Sequence, residues 1–205
     1  MRKSKADTAE TRKRIIAVAS NVFLRNGLAA TGIADVMVAA GLTQGGFYRH
    51  FDSKEQLVAE ANEAAFRELL AMFDAATAGK SPQEALDLIV ERYLYQLHAE
   101  EVIYLCPLAN LGTELCHADA QVRAVAGDGY AGLVKLIAAH LMRMDIADYV
   151  GVAEAIVAVL VGAVSLSRLT VEPASTKAIL SNAQDTINFL VHNAATSKAL
   201  PKNAH

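Results

Sequence analysis

Apolar residues along the 205-residue chain recur at intervals of three and four, and no segment alternates apolar with polar as a strand would. Ile15, Ile16, Ala19, Val22 and Phe23 form one stripe, predicting a helix over residues 8–26. Asp7 or Thr8 is its expected cap. Gly27 ends it, because glycine takes the left-handed cap conformation without a Cβ penalty. Thr31 stands as the next cap, ahead of a short helix over 32–40 that turns Ile33, Val36 and Met37 inward and closes at Gly41. Leu42 anchors the following turn, and Thr43 caps a third helix over 44–50. Ser53 and Gln56 have capping-box spacing and open a long fourth helix towards Ala78. Three helices, the last two short and joined by a glycine-centred turn, make a helix-turn-helix pattern.

Gly79-Lys80-Ser81-Pro82 is the clearest break, with Ser81 as cap and Pro82 in the first helical position. Further helices are expected at about 82–100, 106–117, 119–142, 147–171 and 175–195, with a frayed tail from Ser197. Leu86, Ile89, Val90, Tyr93 and Leu97 share one face, as do Ile179, Ala183, Ile187 and Leu190. The 147–171 segment is apolar nearly all round and must be buried on most faces. Its small residues, among them Gly151, Ala155 and Gly162, permit close helix approach. We therefore expect a homodimer held by 147–171 and 175–195, with Val157 and Leu160 in the interface.

Composition sharpens this to an all-α protein: there are 39 Ala against 4 Pro, and alanine favours helices and is depleted from strands. Two Cys cannot build a disulfide framework. The charged start has no apolar segment behind it, and the apolar stretch Val152–Leu166 is interrupted by Glu154 and reads as too short to span a bilayer. A cytoplasmic protein with no membrane partner is expected. Residues 1–55 carry nine Lys/Arg against five Asp/Glu, whereas the rest carries ten against seventeen. A basic head on an acidic body predicts an anionic partner for the head. We divide the chain into a helix-turn-helix domain, 1–55, and a larger helical domain for ligand binding and dimerisation, 56–205.

The chemistry-bearing stretch runs from Thr31 to Ala61. Gln44, Gly45 and Gly46 occupy the first turn of the third helix. Each glycine costs roughly 1 kcal/mol there relative to alanine. Close approach of the backbone to another surface is the usual reason, and a recognition helix entering the major groove has that need. Free N–H groups at its start favour phosphates. Tyr48, Arg49 and His50 supply further donors, Phe47 and Phe51 pack the helix down, and Lys54 can reach a phosphate.

This stretch resembles the DNA-binding domain of the TetR family of bacterial transcriptional regulators. The likeness rests on the Gly41-Leu42-Thr43 turn, on Phe47-Tyr48-Arg49-His50-Phe51, and on Ser53-Lys54-Glu55. These follow the Phe23-Leu24-Arg25-Asn26-Gly27 that ends the first helix. It covers roughly residues 10–60. The resemblance implies an all-α dimer that usually represses and leaves its duplex DNA operator when a small molecule enters the C-terminal domain. It makes Thr31 and Thr43 cap-and-phosphate residues, Gln44 and Gly45 base-facing, and Tyr48, His50 and Lys54 phosphate-contacting. Gln44 can read adenine through its amide. Position 46, often Ser or Thr in relatives, is Gly46 here. Arg49 is assigned to DNA by its charge alone.

An inducer pocket is expected between the helices starting near Pro82, Cys106, Asp119 and Asp148, lined by Tyr93, Leu97, Tyr104, Cys106, Asn110, Met142 and Arg168. Mostly apolar walls suit a hydrophobic or aromatic small molecule. Cys106-Pro107 offers an alternative: a thiol near a helix start, where the dipole favours thiolate, could sense electrophiles or oxidants. Gly127-Asp128-Gly129-Tyr130-Ala131-Gly132 matches a dinucleotide-binding fingerprint and keeps a small helical enzyme as a remote alternative, although no strand precedes it. No metal, cofactor or catalytic residues are expected: Cys116 and His117 lack ligand spacing.

Overall fold

A computed structural model describes residues 5–96 and 106–196, and among these every regular element is helical. In order they are α1 (Lys5–Asn26), α2 (Ile33–Ala39), a 3-10 helix (Gln44–Arg49), α3 (Lys54–Thr77), α4 (Pro82–Glu91), a π-helical turn (Arg92–Gln96), α5 (Pro107–Leu115), α6 (Ala120–Arg143), α7 (Tyr149–Ser167) and α8 (Pro173–Thr196). The all-α reading holds. The expected ends at 97–100 and 197–205 lie outside the described residues.

Local chemistry explains most boundaries. Ser81 accepts from the Glu84 N–H at 3.3 Å while the Glu84 carboxylate takes the Ser81 N–H at 3.0 Å, and Pro82 follows the cap. The Ser81 hydroxyl and N–H hold the Glu84 carboxyl below its usual range. Asp119 caps α6 through the Val122 N–H, and Asp148 caps α7 through the Gly151 N–H. At α3 the Ser53 hydroxyl takes the Gln56 N–H, but the Gln56 side chain reaches back to Asp52 rather than to the cap.

Four expectations change. Helix α1 starts at Lys5, so Asp7 and Thr8 lie inside its first turns, where Asp7 receives the Thr11 hydroxyl on its carbonyl. The cap of α2 is Gly32, whose N–H is held by Asp35 at 2.7 Å. The third helix is 3-10, not α. Helix α7 runs past Val152–Leu166 at both ends, and its 19 residues are long and apolar enough, by length and composition, to cross a membrane.

The described chain forms two compact units, each containing part of α3 and of α6. The first comprises residues 1–69 and 103–129, so α5 belongs with the helix-turn-helix. Its core gathers Ile15, Phe23, Met37, Phe47, Phe51 and Leu57, with Leu111 and Leu115 of α5. The second comprises residues 70–102 and 130–205. There α7 pairs with α8, the π-helical turn packs on both, and Tyr93 stacks on Phe73. Val157 and Leu160 are core residues of this unit, which overturns their placement in a dimer interface: α7 spends that face within the protomer.

The dinucleotide fingerprint is overturned too. Gly127, Gly129 and Gly132 lie in the middle of α6, and among the described residues no strand precedes them. A Cβ at Gly129 would run into the Phe66 ring, so this glycine serves helix packing.

Candidate nucleic-acid interface

The segment expected to meet DNA is built on a turn that only glycine makes cheaply. Gly41 has φ +67°, and the Leu42 N–H returns to the Met37 carbonyl at 2.8 Å. The chain then enters the 3-10 helix with Thr43 at the N-cap position in extended conformation, but its side chain makes no capping hydrogen bond, which corrects its reading as a capping side chain. Phe47 turns inward, fully buried, and stacks on Phe51 at 5.5 Å. Outward lie Thr43, Gln44, Gly45, Tyr48 and Arg49, all exposed, with His50 half-buried at the end. Tyr48 is 71% exposed and rests edge-on against Phe47.

Neither Gly45 nor Gly46 is required by packing within the protein. A Cβ on Gly45 would meet nothing within 4 Å, and one on Gly46 would reach only Met37 Cε at 3.7 Å, an ordinary contact. Neither has a positive φ.

Beneath this segment sits Arg12 of α1. Its guanidinium makes a two-point pair with Glu60 of α3, at 2.5 and 2.6 Å. It also donates to the His50 carbonyl at 3.1 Å and lies 4.6 Å over the Phe51 ring. One cation thus ties three elements together. Composition counted Arg12 among the basic residues of the head, and the sequence pattern alone could not separate it from Lys13 and Arg14, which are exposed where Arg12 is half-buried.

Two candidates have internal commitments. Thr31 is 1% exposed and donates its hydroxyl to the Gly27 carbonyl at 2.7 Å, so it neither caps α2 nor presents a donor to a phosphate. Lys54 donates to the Leu28 carbonyl at 2.7 Å and is half-buried. The next residue, Ala29, gives its N–H to Glu114 of α5 at 2.6 Å. The loop after α1 is therefore held on consecutive residues from α3 and from α5. Sequence reasoning missed Glu114: its partner is a backbone N–H 85 residues away, and no pattern marks such a pairing.

The expected inducer-pocket residues are scattered. Leu97 and Tyr104 lie outside the described residues. In the second unit Tyr93 is core, whereas Met142 is 53% exposed and Arg168 is exposed at the C-cap of α7. The helical phase of these last two turns them towards solvent, which corrects their reading as pocket wall. In the first unit Cys106 is the 2%-exposed N-cap of α5. Asn110, one turn on, buries both amide atoms without a hydrogen-bond partner. Arg92, missed from sequence, likewise buries an unpartnered Nε in the second unit.

Comparison with known proteins agrees with this geometry. Residues 15–61 match the family described as bacterial regulatory proteins, tetR family, and residues 82–181 match the C-terminal domain of LmrA/YxaF-like transcriptional regulators. The HTH-type transcriptional regulator TtgR of Pseudomonas putida is 41% identical over 58 residues, which is 28% of this chain and 28% of that protein. An HTH-type regulator of Lactococcus lactis is 26% identical over 166 residues, covering 78% of this chain and 84% of its own length. A solved TetR regulator from Chloroflexus aurantiacus is 27% identical with a TM-score of 0.75, covering 91% of this chain and 95% of that one. The chain belongs to the TetR family of bacterial transcriptional regulators, with an LmrA/YxaF-like C-terminal domain.

Proposed function

We propose that this protein is a cytoplasmic, homodimeric repressor that binds a pseudo-palindromic duplex and leaves it when a small hydrophobic or aromatic molecule binds. The observation that carries the reading is the exposed face formed by Thr43, Gln44, Gly45, Tyr48 and Arg49 on a support fixed by Phe47, Phe51 and Arg12. A rigid platform presenting donors and two glycines that packing within the protein does not require suits a surface that enters a major groove.

In this reading Gln44 and Gly45 face bases, with the Gln44 amide reading adenine. Thr43, Tyr48 and His50 bind phosphates, and Arg49 adds charge. Lys54 has a double role: it steadies the Leu28 carbonyl and offers its remaining N–H donors to a phosphate. The dimer forms through apolar side chains that α7 and α8 leave exposed, Val150, Leu166 and Phe189 among them. Asn110 is the candidate polar contact for an inducer, because a buried amide without partners is costly until something satisfies it.

The thiol-sensing alternative has less support, since Cys106 is buried and reagents cannot reach it in this conformation. Selection of binding sites from random duplexes, followed by titration in rising salt, tests the main reading. A palindromic consensus bound with steep salt dependence is expected. Recovery of no consensus, with only weak salt-sensitive binding, counts against it.

A further inference from the structure

The second unit carries a groove of about 710 Å³ that has no part in the DNA-binding reading. One wall is the last turns of α3, with Leu70 and Asp74; the other is a single face of α6, where Gly132, Lys135, Leu136, Ala139, His140 and Arg143 follow at helical spacing. Lys80 closes the end. The groove is electrostatically one-sided. Lys80, Lys135 and Arg143 enter no ion pair among the described residues, and Asp74 is the only carboxylate in the lining. Glu84 lies within electrostatic reach of Lys80, but its carboxylate is engaged by Ser81.

Cations at the C-terminal ends of α3 and α6 complement the helix dipoles. That does not account for His140. Its imidazole lines the groove, is 9% exposed, and buries Nδ1 with no hydrogen-bond partner. A buried polar atom left unsatisfied costs about 1–3 kcal/mol, so the His140 ring is improved by any arrangement that gives it a partner. The groove floor is apolar around Leu70 and Leu136, and the close seat of Gly132 against Leu70 shapes it: a Cβ there would stand 2.8 Å from Leu70 Cδ1.

We propose that this groove binds an amphipathic organic anion. Lys80, Lys135 and Arg143 surround its carboxylate or phosphate, His140 donates a hydrogen bond to it, and its apolar portion lies on Leu70 and Leu136. The inference is independent of the DNA-binding reading, because every residue it uses lies in the second unit, away from the recognition segment in sequence.

Calorimetric titration of the full chain with octanoate, octyl phosphate and inorganic phosphate tests it, comparing wild type with the double variant Lys135→Glu/Arg143→Glu. Both replaced side chains are exposed, and melting curves verify that the variant folds. Saturable binding of octanoate or octyl phosphate is expected, weakened at least tenfold in the double variant. The tighter of the two identifies the head group. In parallel, the His140 ring-proton resonance, identified by its loss in His140→Gln, should shift during titration with the tighter probe. Absence of saturable binding by both amphipaths, equal affinity in the double variant, or inorganic phosphate binding as tightly as octyl phosphate would each overturn the proposal.

Discussion

Arg12 on α1 and Glu60 on α3, 48 residues apart, close a two-point ion pair directly behind the recognition segment. Because Arg12 also holds the His50 carbonyl and covers Phe51, the pair sets where the segment ends. Glu60→Ala should cost about 1–2 kcal/mol, since hydrogen bonds to a charged group are strong but both side chains keep some solvent. Chemical denaturation measures this. DNA affinity should fall with stability while its salt slope stays unchanged, because Arg12 faces inward. A reduced slope in Arg12→Ala would show instead that the guanidinium meets a phosphate.

Gly45→Ala and Gly46→Ala should leave the fold intact or firm it by roughly 0.5–1 kcal/mol, because glycine is the costlier residue in a helix and neither added methyl clashes. DNA affinity should nonetheless drop at least tenfold. Full binding by both variants would mean that the segment does not approach the duplex closely.

Lys54→Ala should flatten log affinity against log salt by about one unit if its ammonium neutralises one phosphate. Loss of the Leu28 contact should also lower the melting temperature. A lower melting temperature with an unaltered slope would confine Lys54 to its internal role.

His140 makes stability depend on pH in a defined direction. Burial lowers its pKa from 6.5, Arg143 lowers it further, and Asp74 opposes them. The native state then binds fewer protons than the unfolded chain, so the stability tied to neutral His140 is present above 6.5 and drains as pH falls below it. Urea midpoints from pH 8 to 5.5 should show wild type losing its advantage over His140→Gln with acidification. Parallel curves for the two proteins would remove His140 from the account.

Charge on α7 and on α8 should have different consequences. Phe189 is 64% exposed, so Phe189→Glu should produce a folded monomer in sedimentation. Val157 is core, and Val157→Glu should unfold the protomer, at a cost of several kcal/mol for an unpaired buried charge. A dimer that survives Phe189→Glu unchanged would move the interface off this face of α8.

By itself the sequence determined where the helices lie, the caps formed by close neighbours, and which side of the Thr43–Arg49 segment faces outward. Ser81 with Glu84, Gly27 and Gly41 act within a few residues of where they stand, and helical periodicity reports which side of each segment is apolar. The outward set from Thr43 to Arg49 was legible for the same reason, since Phe47 and Phe51 fix the phase of one short turn. Tertiary structure decided what lies between distant residues. It assigned Arg12 to Glu60 rather than to solvent, gave the Thr31 hydroxyl to Gly27, and brought Glu114 to the Ala29 N–H. It also spent Val157 and Leu160 on the protomer core and buried the His140 imidazole beside cations that enter no ion pair among the described residues. Charge and apolarity are properties of a residue and can be read along the chain. Pairing is a property of two residues at one place, and only the packing of helices against one another supplies that place.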